Sequence, residues 1–140
     1  MKSIRELAEW LINRPLTAQD GYSAECMEEA QARLGIRLPA PLLEFYLAVG
    51  KNAELATSFN RFEEPSELQR SKNKIIFMEE NQAVCIWATD QKSIVYQCSN
   101  FDRPRWYKEP VRLEHFLHTT LYYQMAQGGY SHAGMIPGDS

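Results

Sequence analysis

Apart from a last helix, the hydrophobic period of this chain changes once, at Lys74. Before it, apolar residues return at three- and four-residue steps, the spacing of one helix face. After it they alternate, the spacing of a strand. A chain written this way segregates its helices from its strands, which predicts an α+β domain rather than a succession of βα units. At 140 residues it is long enough to bury one core without disulfide staples.

The helical half is punctuated by its own chemistry. Ser3-Ile4-Arg5-Glu6 has the form of a capping box, in which Ser3 accepts from a first-turn amide and Glu6 reaches back. Ile4, Leu7, Ala8, Leu11 and Ile12 then predict an amphipathic helix over 3–13, which Pro15 cannot simply continue. Residues 15–22 read as a connector to which Gly21 lends flexibility. Ser23 is the expected N-cap of a second helix, with Met27, Ala30 and Leu34 inward and Gly35 as its stop. Pro39 and Pro41 fit only the first turn of a third helix, on which Leu42, Phe45, Tyr46 and Val49 share a face before Gly50 ends it. Residues 51–72 show little period, apart from a short helical turn expected at Pro65-Ser66-Glu67-Leu68.

Three strands are predicted next, at residues 75–78, 83–88 and 93–98, all rich in β-branched and aromatic residues. The connectors Glu79-Glu80-Asn81-Gln82 and Thr89-Asp90-Gln91-Lys92 are short, so neighbouring strands should run antiparallel. In the middle strand Val84, Ile86 and Ala88 face one way and Ala83, Cys85, Trp87 and Thr89 the other. Both faces are largely apolar, so each should be covered at least in part. Residues 99–110 read as a loop rich in arginine, proline and aromatics. A last helix is expected over 111–126, carried by Leu113, Phe116, Leu117 and Leu121 and stopped by Gly128 and Gly129. Residues 1–127 then form a single domain, and 128–140 a flexible C-terminal tail.

Composition narrows the function classes. A net charge of -3 is too small to argue for a nucleic-acid partner. Cys26, Cys85 and Cys98 are odd in number and lack CxxC spacing, which points to a reducing compartment. Arg5, Glu6 and Glu9 interrupt any apolar signal core, and no run is long enough to span a bilayer, so a cytoplasmic protein without a membrane partner is expected.

Two stretches resemble the SUKH superfamily, which includes cell-wall-assembly regulators and many bacterial toxin-immunity proteins. The first is Glu29 through Leu34-Gly35-Ile36-Arg37-Leu38-Pro39, with Leu43-Glu44-Phe45-Tyr46-Leu47 and Gly50 after it. The second is Ile76-Phe77-Met78-Glu79-Glu80-Asn81-Gln82-Ala83-Val84-Cys85-Ile86-Trp87-Ala88. The resemblance implies an α+β fold with helices packed around a central mixed sheet; with the short connectors, the expected fold is N-terminal helices and a C-terminal helix around a mostly antiparallel central sheet. The resemblance also implies a binding function without a catalytic centre, often the neutralising of a toxin such as a nuclease. Many members carry a glycine-rich stretch after the position of Gly50, where this chain has Lys51-Asn52-Ala53-Glu54.

The residues themselves suggest where binding would occur. Asn81 and Gln82 offer donors and acceptors, Glu79 and Glu80 can meet arginines bidentately, and Trp87 and Asp90 could extend the same patch. Acidic residues gather at Asp20, Glu25, Glu28 and Glu29, and again at Glu54, Glu63, Glu64 and Glu67. Such groups suit electrostatic capture of a basic partner. Basic residues gather at Arg70, Lys72 and Lys74, and at Arg103, Arg105, Lys108 and Arg112 around Trp106 and Tyr107. No nucleic-acid-binding motif accompanies them, so nucleic acid is not the expected partner. His115 and His118 share a helix face but lack further ligands at metal spacing. No GxSxG, P-loop, dinucleotide fingerprint or HExxH occurs. The expectation is a non-enzymatic protein binder that uses no cofactor and no metal. The alternatives are an intracellular regulatory scaffold for a host protein, or a small hydrolase with a site assembled from distant residues.

Overall fold

The computed structural model describes residues 2–101 and 105–127. The order is α1 Ile4–Ile12, α2 Ala24–Leu34, α3 Ala40–Val49, a short α4 Ala53–Ala56, then β1 Arg61–Phe62, a 3-10 turn Pro65–Glu67 and β2 Gln69–Ser71. The long strands follow as β3 Lys74–Glu79, β4 Cys85–Thr89, β5 Ile94–Ser99 and β6 Tyr107–Arg112, and α5 Leu113–Gln127 comes last. This is an α+β fold with helices at both ends of the described chain and an antiparallel sheet between them. No helix among the described residues is long and apolar enough to cross a membrane. The tail expected at 128–140 lies outside the described residues.

The caps form as the local chemistry dictates. Ser3 and Glu6 close a reciprocal box, Ser23 Oγ accepts from the Cys26 amide, and Gly35 ends α2 at φ +71°. Asn13, which the sequence did not single out, ends α1 in the left-handed region at φ 60°. The connector before α2 is not the flexible link expected at Gly21. Gly21 is buried, and a Cβ there would stand 1.8 Å from the Leu47 carbonyl oxygen. Beside it Tyr22 N donates to Tyr46 O at 2.9 Å and Lys51 N to Asp20 O at 2.9 Å, so glycine serves close backbone approach to α3.

The sheet order is β1-β3-β4-β5-β6, with β2 beside β1 along the same edge of β3. All pairings are antiparallel. Between Ile76 and Met78 the β3–β4 register slips by one residue. That bulge turns the adjacent Phe77 and Met78 inward together, which strict alternation forbids. Four elements are absent from the sequence reading. Residues 107–112 form β6 rather than loop and helix start, so α5 begins at Leu113. The region 51–72 holds α4, β1 and β2. Edge strands that are polar, two or three residues long, or interrupted by Pro110 carry almost no alternation to read.

A single core cluster joins Leu7, Leu11, Met27, Leu42, Phe45 and Val49 of the helices to Ile75, Phe77 and Val95 of the sheet and Leu117 and Leu121 of α5. Aromatic rings run through it. Phe45 stacks on Phe62 at 4.1 Å, Phe62 lies 6.0 Å from Phe77, and Phe116 sits 6.1 Å from Phe77 and 5.9 Å from Trp87. Each such pair adds about 0.5–1.5 kcal/mol to the area it buries. Ile86, Ala88 and Cys98 are buried on the opposite face of the sheet, outside that cluster. There the small Ala88 lies between Ile76 and Tyr96 on the neighbouring strands, and Cys98 lies opposite Ile86.

Candidate interaction surface

The turn from Glu79 to Val84 closes one end of the sheet, and its own residues build it. Glu80 Oε1 accepts from Gln82 N at 3.0 Å and Val84 N at 3.1 Å, while Ala83 holds φ 59° and donates its amide to Glu80 O. Glu79 forms an ion pair with Arg61 across β1. Asn60 Oδ1 accepts from Asn81 N at 3.1 Å, Asn100 Nδ2 donates to Ala83 O at 2.6 Å, and Asn100 N donates to Val84 O at 2.9 Å. Three chain segments are therefore tied into one tip. From it the side chains of Asn81 and Gln82 reach solvent. Val84 is 47% and Phe101 86% exposed there.

The six residues singled out from sequence do not all meet. Glu79, Glu80, Asn81 and Gln82 share the tip, whereas Asp90 lies past the far end of β4, about 15–20 Å away at ordinary strand rise. Asp90 is buried and fully occupied. Its Oδ1 accepts from Lys92 N and Ile94 N, and its Oδ2 accepts from the Tyr96 hydroxyl at 2.9 Å. Trp87 lies on the face that α5 covers, against Phe116, and its Nε1 donates to Glu109 Oε2 at 2.9 Å. Alternation separates the two faces of β4 but does not say which one receives the helices. Val84 and Phe101, the apolar members of the tip, carry no sequence signal beyond being apolar residues near turns.

A second exposed apolar surface escaped the sequence reading. Trp10 of α1 stacks on Tyr122 of α5 at 6.1 Å, beside Tyr123, over a groove lined by Leu7, His118 and Thr119. The consecutive tyrosines carry no signal of this by themselves, since the consecutive Phe45 and Tyr46 of α3 are both buried.

The acidic groups reorganise in three dimensions. Asp20 leaves the surface. Its carboxylate accepts from both Arg14 terminal nitrogens at 3.0 and 2.9 Å, from Thr17 N at 2.8 Å and from Asn52 Nδ2 at 3.1 Å. Those bonds, the Arg14 guanidinium first, hold it far below the ordinary carboxylate range despite its burial. Glu28 pairs with Arg37. Four of the others come together, because Arg33 of α2 reaches the 3-10 turn and donates to Pro65 O and Leu68 O. Glu25 and Glu29 of α2 thereby join Glu64 and Glu67 on one exposed face, and none of the four makes an ion pair among the described residues.

Burial pushes the Cys85 thiol up, with Gln97 Nε2 at 3.5 Å from its sulfur. His118 has both ring nitrogens against backbone carbonyls, of Glu114 and Lys2, so it is not free to pair with His115 around a metal. No group of three His, Cys, Asp or Glu among the described residues could hold a metal ion. No protein family, no curated protein and no solved structure matches this chain.

Proposed function

We propose that this chain is a non-catalytic protein-binding domain of the SUKH type: a bacterial immunity protein that acts in the cytoplasm and neutralises a cognate toxin by occluding its active site or substrate groove. The observation that carries this reading is the sheet tip, where Val84 and Phe101 stand in water on a backbone tied by the Asn60, Glu80 and Asn100 hydrogen bonds. An apolar anchor on a backbone already held in place loses little entropy on docking, and such anchors dominate binding energy. A face of about 800 Å² per partner suffices for tight inhibition. The exposed glutamates of α2 and the 3-10 turn favour a basic partner such as a nuclease, speeding its capture.

The test is co-expression with toxins encoded beside the gene, scored by growth rescue. The wild-type chain should protect, and a Val84→Asp, Phe101→Asp variant should not, while its circular dichroism and melting stay unchanged, since both side chains are exposed. Equal rescue by the variant would remove the tip from the interface. No protection by the wild type against any neighbouring toxin would remove the immunity reading.

A further inference from the structure

The opposite end of the sheet has the opposite charge. Tyr96 of β5 lies on the face turned away from the core, because its neighbour Val95 points into that core. Lys74 Nζ stands 4.5 Å over its ring, and Lys108 of β6 is its cross-strand partner. Lys92 sits in the turn that Asp90 organises, and Arg112 Nη2 donates to Lys92 O at 2.6 Å. Lys92, Lys108, Tyr96, Asn73 and Gln91 line one concavity of about 490 Å³. The chain as a whole carries 18 acidic against 15 basic residues. Yet Lys74, Lys92, Lys108 and Arg112 make no ion pair among the described residues. The one carboxylate in the concavity, Asp90, is buried with both oxygens occupied by its own turn and by Tyr96.

We infer that this concavity is a binding site for a small polyphosphate anion, of the nucleoside di- or triphosphate class. Lys74, Lys92, Lys108 and Arg112 outnumber the single carboxylate Asp90 there, and an anion placed among them relieves their mutual repulsion. Lysine ammonium groups act as mobile point charges that donate to phosphate oxygens from several directions. The cavity volume falls in the range of small-ligand sites. The Asp90 bonds fix the turn and the tyrosine, so Lys92 and Lys108 flank a preformed hollow rather than a mobile loop. A compact hollow on an acidic chain suits a small anion better than a long nucleic acid, which needs an extended basic track. The site lies at the end of the sheet away from the tip and does not depend on what the tip binds.

Calorimetric titration at low salt, with inorganic tripolyphosphate, ATP and AMP as probes, tests this. Tripolyphosphate and ATP should bind saturably and AMP at least about tenfold more weakly, because affinity follows phosphate charge. ATP tighter than tripolyphosphate would assign a contact to the nucleoside, and equal affinities would make the phosphate chain the whole ligand; either supports the site. A Lys92→Glu, Lys108→Glu variant should lose about tenfold or more, with an unchanged melting midpoint, since both side chains are exposed. Amide shifts on titration should centre on Gln91, Lys92, Tyr96 and Lys108. The proposal is overturned by no saturable tripolyphosphate binding up to about 1 mM, by equal binding to the charge-reversed variant, or by shifts centred elsewhere. Binding of a single-stranded oligonucleotide without binding of tripolyphosphate also overturns it.

Discussion

Gly21→Ala replaces one hydrogen with a methyl group, yet it should be among the most damaging substitutions available to this chain. The new Cβ would lie 1.8 Å from Leu47 O, 2.5 Å from Leu47 C and 3.1 Å from Ala48 C, all backbone atoms of α3. Ordinary carbon contact needs about 3.5 Å, so the connector must retreat by roughly 1.5 Å. That displacement stretches Tyr22 N to Tyr46 O and Lys51 N to Asp20 O, both 2.9 Å now, beyond hydrogen-bonding reach. Each lost bond costs about 1 kcal/mol net, and up to about 3 kcal/mol if the group stays buried without a partner. A total of about 3–5 kcal/mol would take a large share of the roughly 5–15 kcal/mol that holds a domain folded. For 140 residues the unfolding entropy is about 0.3 kcal/mol/K, so the melting midpoint should fall by roughly 10 °C or more. Gly35→Ala is the control. Its φ of +71° makes alanine unfavourable by about 1–2 kcal/mol, but the nearest atom is the terminal nitrogen of Arg70 at 3.3 Å, which can move. Thermal and urea denaturation followed by circular dichroism read both. A Gly21→Ala midpoint within a few degrees of the wild type, or a loss no greater than that of Gly35→Ala, would refute the close-approach argument.

Four further outcomes are expected. The Asp20 carboxylate titrates lower in the folded chain than in the unfolded one, so its stabilisation is complete above about pH 4 and is lost as the pH falls through the folded value. Melting midpoints recorded on the acid side should therefore drop less steeply for Asp20→Asn than for the wild type. Gln124→Leu strips partners from Leu55 O, Asn60 O and Asn60 N at once and should cost about 2–4 kcal/mol in urea unfolding. Trp87→Ala should lower stability by about 3 kcal/mol, because the ring packs against Phe116; an unchanged midpoint would return Trp87 to the surface. If the partner is basic, its association measured by stopped flow should slow by about tenfold or more as salt rises, and charge reversal at Glu25, Glu29, Glu64 and Glu67 should abolish that dependence.

The legible parts of the fold are those governed by chemistry within a few residues. Ser3, Glu6, Ser23 and Gly35 act on amides and carbonyls one turn away, and the helices begin and end where they say. The three central strands could be read because they bury residues on both faces, Ile75, Phe77 and Val95 on one and Ile86, Ala88 and Cys98 on the other. Tyr107–Arg112 could not, since it has a partner on one side only and its Lys108, Pro110 and Arg112 obscure the alternation. Gly21 looked like slack because nothing near it in sequence reveals that Leu47 lies against it. The candidate surface divides the same way. Glu79 to Gln82 were legible as a polar turn, but whether a turn residue spends its hydrogen bonds inward, as Glu80 and Asp90 do, depends on backbone geometry that periodicity does not carry. The joining of Glu25 and Glu29 to Glu64 and Glu67 depends on Arg33 reaching Pro65 across 32 residues of chain.

Both flanks of the sheet are irregular, and this limits how another molecule can approach it. On one side the 3-10 turn splits β1 from β2, and on the other Pro110 removes a donor where the β5–β6 register shifts. Neither flank offers an uninterrupted row of amides and carbonyls to an incoming extended peptide. Strand addition, whether by a ligand or by a second copy of the chain growing into a fibre, is thereby discouraged. The two ligands proposed above would then have to meet side chains at opposite ends of the sheet, far enough apart for a macromolecule and a small anion to be held at the same time.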